Sequence, residues 1–294
     1  MIIVSGAAGQ LGRLTVESLL GRVPAGRVRA LSRDPAKLES LASRGVAVAA
    51  ADFDDPGALG PAFSGGEVLL IISTDDLRPG ARIGQHGSAI EAAKAAGIRH
   101  VVYTSATDPR PENPAKRVSA DHRETERMLA DSGLAWTALR NNLYLDLMLA
   151  PGALPGGSVV GNSGEGRAAY VAREDCAAVA AAVLADPGPH AGRALEVTGP
   201  EALSPHDLAA ILAEIAGRPV AVHGLDDDAY AGALAGAGLP GPLVEILAAF
   251  GQAIREGWFA GVSPVVTEVT GRPAMTAWAF FEKNRPGLLA ALGG

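Results

Sequence analysis

The sequence has one cysteine in 294 residues, and aromatic residues make up only 4% of it. A single thiol cannot staple a fold, so a reducing compartment fits. Cys176 lies in Asp175-Cys-Ala-Ala-Val-Ala-Ala-Ala-Val183, which reads as a helix carrying a buried small apolar residue. Basic residues are also scarce. Lys and Arg number 25 against 32 acids, for a net charge of −7. No Lys/Arg run stands out, so no nucleic-acid partner is expected. The N-terminus lacks a charged leader and a cleavage site, and its apolar start is too short to span a bilayer. A cytoplasmic protein with no membrane partner is the expectation.

Several chemical signatures are missing too. None of Tyr103, Tyr144, Tyr170 and Tyr230 is followed by a lysine at the fourth position, so the tyrosine–lysine proton relay is absent. No His/Cys/Asp cluster has metal-ligand spacing, and no metal is expected. There is no Gly-x-Ser-x-Gly elbow and no Gly-Lys-Ser/Thr phosphate loop.

What is there is a long alternation of strands and helices. Hydrophobic residues make up 48% and charged residues 19%, enough for a sizeable core. Apolar runs at residues 1–5, 28–32, 46–50, 68–73, 98–104 and 134–139 read as strands. Between them, Leu11, Leu14 and Leu19 fall on one helical face. Asp34-Pro35 and Asp55-Pro56 each supply a cap and a first-turn proline, and Gly45, Gly65, Gly97 and Gly133 end helices. Strand–helix alternation at this spacing implies right-handed crossovers and a parallel sheet. The fold class is therefore α/β, a Rossmann-type doubly wound parallel sheet with a smaller, mostly helical C-terminal lobe. Residues 1–150 form the dinucleotide-binding domain in this reading. Residues 151–294 form a lobe covering the strand ends, parts of which complete the sheet. That lobe is expected to hold helices at 174–184, 204–216, 227–237 and 242–255 and a short strand at 195–198.

Gly6-Ala7-Ala8-Gly9-Gln10-Leu11-Gly12 follows the first strand and opens the first helix. A helix N-terminus offers free N–H groups and a positive dipole end to a pyrophosphate. Glycine allows the sharp turn, and Gly12 lets helix and strand pack closely. The second strand ends at Ser32-Arg33, with Lys37 one turn on. The two cations suit a 2′-phosphate, so NADPH is favoured over NADH. Asp34 is read as the cap of the next helix. Asp52 and Phe53, after the third strand, suit the adenine amino group and ring. Ser73-Thr74 and Thr104-Ser105 end the fourth and fifth strands, on the edge where such sheets bind ligands.

These residues give the chain a resemblance to atypical short-chain dehydrogenases/reductases of the NmrA-like group. Within that group it resembles the bacterial NADPH-dependent quinone oxidoreductases of type 2. The matching stretches include Ser5 to Gly12, Arg33-Asp-Pro-Ala-Lys37, Ala51-Asp-Phe53, Tyr103-Thr-Ser105, His122-Arg-Glu-Thr-Glu126, Leu139-Arg-Asn141 and Thr270-Gly-Arg-Pro273. The resemblance implies that Gly6, Gly9, Gln10 and Leu11 contact pyrophosphate and that Arg33 and Lys37 hold the 2′-phosphate. Asp52 and Phe53 border adenine, while Ser73, Thr74, Thr104 and Asn141 line ribose and nicotinamide. His122 stands where some relatives carry a catalytic lysine, four residues before Glu126, and is a candidate proton donor. Asn142, Tyr144 and Met148 follow the sixth strand and are candidate substrate contacts, with Tyr144 a second candidate donor. His86 is read as structural, and Trp258-Phe259 as a lid over an aromatic substrate.

The function implied is an NADPH-dependent oxidoreductase transferring hydride to a quinone or related aromatic carbonyl. Two other readings stay open: a non-catalytic NADP sensor, and a tailoring reductase or oxygenase of aromatic polyketide biosynthesis. A homodimer is compatible with the sequence.

Overall fold

The computed structural model describes residues 1–293. Along the first half alternate β1 (Ile2–Val4), α1 (Gln10–Leu20), β2 (Val28–Ser32), α2 (Glu39–Ala42), β3 (Ala47–Ala50), α3 (Pro56–Phe63), β4 (Val68–Ile71), α4 (Ala81–Ala95), β5 (His100–Ala106), α5 (Lys116–Asp131) and β6 (Ala135–Asn141). Then come β7 (Val159–Gly161), α6 (Arg173–Ala185), β8 (Arg193–Val197), α7 (Pro205–Ala216), β9 (Val222–Gly224), α8 (Asp227–Gly236) and α9 (Gly241–Arg255). Three short helices complete the chain: α10 (Val265–Thr270), α11 (Ala277–Lys283) and α12 (Arg285–Ala291).

Seven strands pair in the order β3-β2-β1-β4-β5-β6-β8, every neighbour parallel. β1 is an interior strand: Ile3 lies opposite Arg29 of β2 and Leu69 of β4. The chain leaves β1 toward β2 and β3, then returns to add β4 on the other side. That reversal opens a crevice at the carboxyl ends of β1 and β4, the place where doubly wound sheets bind ligands. All four residues of β4 are buried, as expected of a strand covered by helices on both faces. Ile2 and Val4 face one core with Leu11, Val16 and Val179, while Ile3 faces the other with Phe63, Ile90 and Leu129.

The second half does not stay apart from the sheet. β8 pairs with β6, Leu139 opposite Leu195, and α6 packs against α1. The separate helical core gathers Leu208, Leu212, Phe280, Phe281 and Leu288 from α7, α11 and α12. β7 and β9 form a two-stranded parallel ribbon beside it.

Several local expectations change. After Asp34 the chain forms a 3-10 turn, Pro35–Leu38, before the four-residue α2, and Asp34 caps it by accepting from the Ala36 amide at 3.2 Å. The fourth strand stops at Ile71, which leaves Ser73 and Thr74 in the loop beyond it. β9 and α10 to α12 leave no signal in the sequence pattern. They run from three to seven residues, too short for a periodic pattern to register.

A buried acid is one of the ties that hold the C-terminal helices, beside the exposed Lys283–Glu174 pair. Asp175 is fully buried, pairs with Arg272 at 2.7 Å and accepts from the Met275 amide at 2.7 Å. Asp175→Ala leaves the Met275 amide without its acceptor, while the half-exposed Arg272 turns to water, and is expected to cost about 1–3 kcal/mol. Urea denaturation checks the cost, and hydrogen exchange checks that lost protection is concentrated at residues 265–291. A change below about 0.5 kcal/mol would contradict this tie.

Candidate functional site

The turn after β1 is shaped by two glycines. Gly6 has φ +59°, a left-handed conformation that side chains rarely adopt. At Gly12 a β-carbon would lie 2.3 Å from the Gly6 carbonyl oxygen and 2.8 Å from the Ala7 α-carbon. Only glycine lets α1 descend so close to the turn. α1 starts with Gly9 as N-cap and no side chain supplying the cap, so its first amides are left for a ligand. Around this turn lies a cleft of about 470 Å³. Gly6, Ala8 and Gly9 line its floor, Arg33, Asp52 and Phe53 one end, and Ser73 and Thr74 the opposite wall.

The wall is held from behind by side chains. Ser5 accepts from the Ile72 amide at 2.9 Å, and Thr104 accepts from the Ser73 amide at 2.8 Å. His86 Nε2 accepts from the Thr74 amide at 3.1 Å, which places the ring hydrogen on Nδ1, facing Thr125 Oγ1 at 2.9 Å. Thr125 in turn donates to the Asp121 carbonyl at 2.9 Å. Burial pushes the His86 pKa down to about 3, so the ring stays neutral.

Not every expected residue reaches the cleft. Leu11 and Gly12 are buried beneath the turn, and Gln10 points to Arg173. Lys37 is exposed but does not line the cleft, and its carbonyl accepts from Arg13 at 3.0 Å. Arg13, which the sequence did not single out, thereby fixes the segment after Arg33. Thr104 supports Ser73 rather than lining the cleft. Ser105 donates to Glu126 at 2.6 Å, and Glu126 holds Arg140 at 2.7 Å, so Ser105 serves an ion-pair network.

A second cavity of about 270 Å³ opens among the segment that follows β6, the β7/β9 ribbon and helices α7 to α9. Tyr144, Met148, Tyr170, Tyr230 and Phe250 line it, and no Lys, Arg, Asp or Glu does. Tyr144 Oη accepts from Asn141 Nδ2 at 3.0 Å, which leaves the phenolic hydrogen free. Burial raises the Tyr144 pKa and keeps it protonated. Asn142 does not join this wall. It donates to the Phe259 carbonyl at 3.0 Å and accepts from the Leu143 amide, so it ties β6 to the C-terminal chain. Phe259 is buried against Phe250 and is no lid, and Trp258 lies under the Arg110 guanidinium at 4.9 Å.

His122 lines neither the cleft nor this cavity. It is buried, with Tyr103 Oη 2.7 Å from Nδ1 and Arg82 donating to Nε2 at 3.1 Å. Arginine has only donors, so Nε2 is the acceptor and the ring is neutral. Burial first, then the Arg82 charge, hold its pKa well below the usual range. The position matches the motif, but the helix face turns it into the core between α4, β5 and α5.

The residues present fit a dinucleotide. The glycine cradle excludes a β-carbon and α1 lacks a side-chain cap, whereas Asn141 lines neither cavity, its buried Oδ1 unpartnered. A family model described as NAD(P)H-binding matches residues 6–187, more than half of the chain. The chain belongs to this NAD(P)H-binding family. It is 39% identical over 278 residues to quinone oxidoreductase 2 of Escherichia coli, covering 94% of this chain and 96% of that protein. It is 32% identical to an NAD(P)H azoreductase of Xenophilus azovorans, over 99% of this chain and 100% of the relative. Among solved structures, NADPH-dependent quinone oxidoreductase of Escherichia coli in complex with NADPH superimposes with a TM-score of 0.90. The two share 38% identity over 97% of this chain and 99% of the other. The resemblance drawn from the sequence motifs is thus borne out. Among the described residues no group of acids, histidines or cysteines is placed to hold a metal, and no helix is long and apolar enough to cross a membrane.

In this family member the wall of the cleft depends on a neutral histidine. The unfolded His86 titrates near 6.5 and the folded one near 3. Between those values the unfolded chain binds the extra proton, so stability falls as pH is lowered from about 6.5 toward 3. The slope from this one group is about 1.4 kcal/mol per pH unit. Chemical denaturation at pH 7 and pH 5 is expected to show the loss, and His86→Gln is expected to reduce it. Equal slopes for both proteins would contradict the assignment.

Proposed function

We propose that this chain is an NADPH-dependent oxidoreductase that passes a hydride to a quinone or a related uncharged aromatic acceptor. The observation that carries this reading is the Gln10–Arg173–Tyr144 contact, which joins the glycine turn to a cavity walled mostly by aromatic and aliphatic side chains, with Asn162, Ser163 and His223 its polar members and no Lys, Arg, Asp or Glu. Membership of an NAD(P)H-binding family and the quinone and azo reductases among its relatives support it.

The nicotinamide supplies the hydride; the protein supplies binding, orientation and exclusion of water. The amides at the start of α1 and the turn at Gly6, Ala8 and Gly9 take the pyrophosphate. Arg33, exposed at the cleft's edge, takes the 2′-phosphate, with Lys37 adding charge one turn away. Asp52 keeps one oxygen in a turn, accepting from the Asp54 amide at 3.0 Å, and leaves the other for the adenine amino group beside Phe53. Ser73, Thr74 and Asn141 border the ribose and nicotinamide. Tyr144 donates its phenolic hydrogen to the acceptor's oxygen while Asn141 steadies the phenol, and Met148 fills the apolar wall. A quinone is electrophilic enough to accept hydride without a strong acid, so a high-pKa phenol suffices and His122 keeps its place in the core. Cys176 is buried and takes no part. A cytoplasmic location belongs to the same reading.

Steady-state oxidation of NADPH and NADH by menadione tests this. Arg33→Ala is expected to raise the KM for NADPH roughly 10–100-fold and leave NADH nearly unchanged. Tyr144→Phe is expected to lower kcat roughly 10–100-fold with little change in KM for NADPH. Tight NADPH binding without turnover of any quinone would favour a nucleotide sensor instead.

A further inference from the structure

Arg173 is a cation in the first turn of α6, where the helix dipole disfavours positive charge. Its side chain is only 11% exposed. A buried guanidinium in that position needs partners, and those it has belong to two different walls. On one side Nη1 donates to Gln10 Oε1, from the first residue of α1 and next to Gly9 of the phosphate-binding turn. On the other side the guanidinium lies 4.7 Å from the centre of the Tyr144 ring, a cation–π contact. The same side chain pairs with Asp146 at 3.2 Å, and the Arg173 amide donates to Asp146 at 2.9 Å.

Tyr144 and Asp146 are not isolated groups. Tyr144 directly precedes the 3-10 turn Leu145–Leu149, which carries Leu147 and Met148 into the apolar cavity. That segment is bridged to the residues just before α6: Val171 donates to the Leu143 carbonyl at 2.9 Å, and Leu145 donates to the Val171 carbonyl at 3.0 Å. One guanidinium therefore spans from the phosphate-binding turn to the wall of the apolar cavity. Negative charge brought to the turn strengthens the hold of a cation bonded there, and the stacked phenol and the Asp146 carboxylate are held with it.

We propose that Arg173 is a positioning residue that couples occupancy of the phosphate-binding turn to the substrate cavity, so that a quinone binds after, and because of, the nucleotide. The inference rests on the function proposed above. Its thermodynamic content is a coupling between two sites, and such couplings are reciprocal.

The test is the dissociation constant of menadione, measured by calorimetry with and without saturating NADP⁺, where no turnover occurs. In the native protein NADP⁺ is expected to tighten menadione binding roughly 5–50-fold. Arg173→Met and Gln10→Ala are each expected to bring that ratio to within about twofold of one, and the double variant to do no more than either alone. Arg173→Lys keeps the charge without the planar stack, so its ratio falls between native and Arg173→Met. Gln10 is exposed, so Gln10→Ala carries the test even where Arg173→Met fails to fold. A native ratio near one, in a protein that reduces menadione, overturns the coupling and leaves the proposed function standing. A native-sized ratio in Gln10→Ala or in folded Arg173→Met does the same. A native protein that neither binds nor reduces menadione overturns both.

Discussion

The space that Gly12 leaves empty governs the rest of the structure. A β-carbon there would sit 2.3 Å from the Gly6 carbonyl oxygen, so any side chain would push α1 off the turn. With glycine, α1 starts directly above the end of β1, at the point where the strand order reverses. Its uncapped amides then face the cleft, and its body packs against α6. α6 is the element that brings the second half of the chain back to the sheet. Its first residue, Arg173, reaches Gln10 and Tyr144, and its third, Asp175, holds the C-terminal segment through Arg272 and Met275. The glycine turn, the apolar cavity and the last three helices are thus hung on one helix pair.

On the opposite face a buried polar network has a different task. His86, Thr125, Tyr103, His122 and Arg82 are all buried, and their ring and hydroxyl groups answer one another. Because both histidines are neutral, the network stiffens the loop after β4 without placing a histidine charge behind the cleft. The arrangement separates two environments. The cleft presents a cation at Arg33 and amides at α1, which suit phosphates. The cavity beyond Tyr144 presents aliphatic and aromatic walls, which suit an uncharged ring.

Much of this was legible in the sequence because it is written in local chemistry. Gly6 and Gly12 come after an apolar run and before a helical one, and Asp34-Pro35 and Asp55-Pro56 each cap the turn or helix that begins at the proline. The sheet and the cleft's floor could be read from such signals. The features that stayed hidden depend on where a side chain points after folding. His122 occupies a position motif comparison marks as catalytic, yet its face of α5 turns inward to Tyr103. Ser105 and Thr104 are neighbours on β5, and strand alternation sends them to opposite faces, one to Glu126 and the other to Ser73. Asn142 looked like a substrate contact and is a strut to Phe259. Arg173 did leave a trace, a cation at a helix start where an acid is favoured. Its partners Gln10, Tyr144 and Asp146 are too far apart in sequence for spacing to connect them.

The most direct measurement is a single-turnover reaction of enzyme-bound NADPH with menadione, comparing cofactor carrying hydrogen or deuterium at the transferring position of nicotinamide C4. Loss of NADPH absorbance and formation of the hydroquinone are expected to proceed together, and deuterium is expected to slow both. NADPH that stays bound and unoxidised in the presence of the quinone, or oxidation with no isotope effect on that single turnover, would contradict hydride transfer at this site.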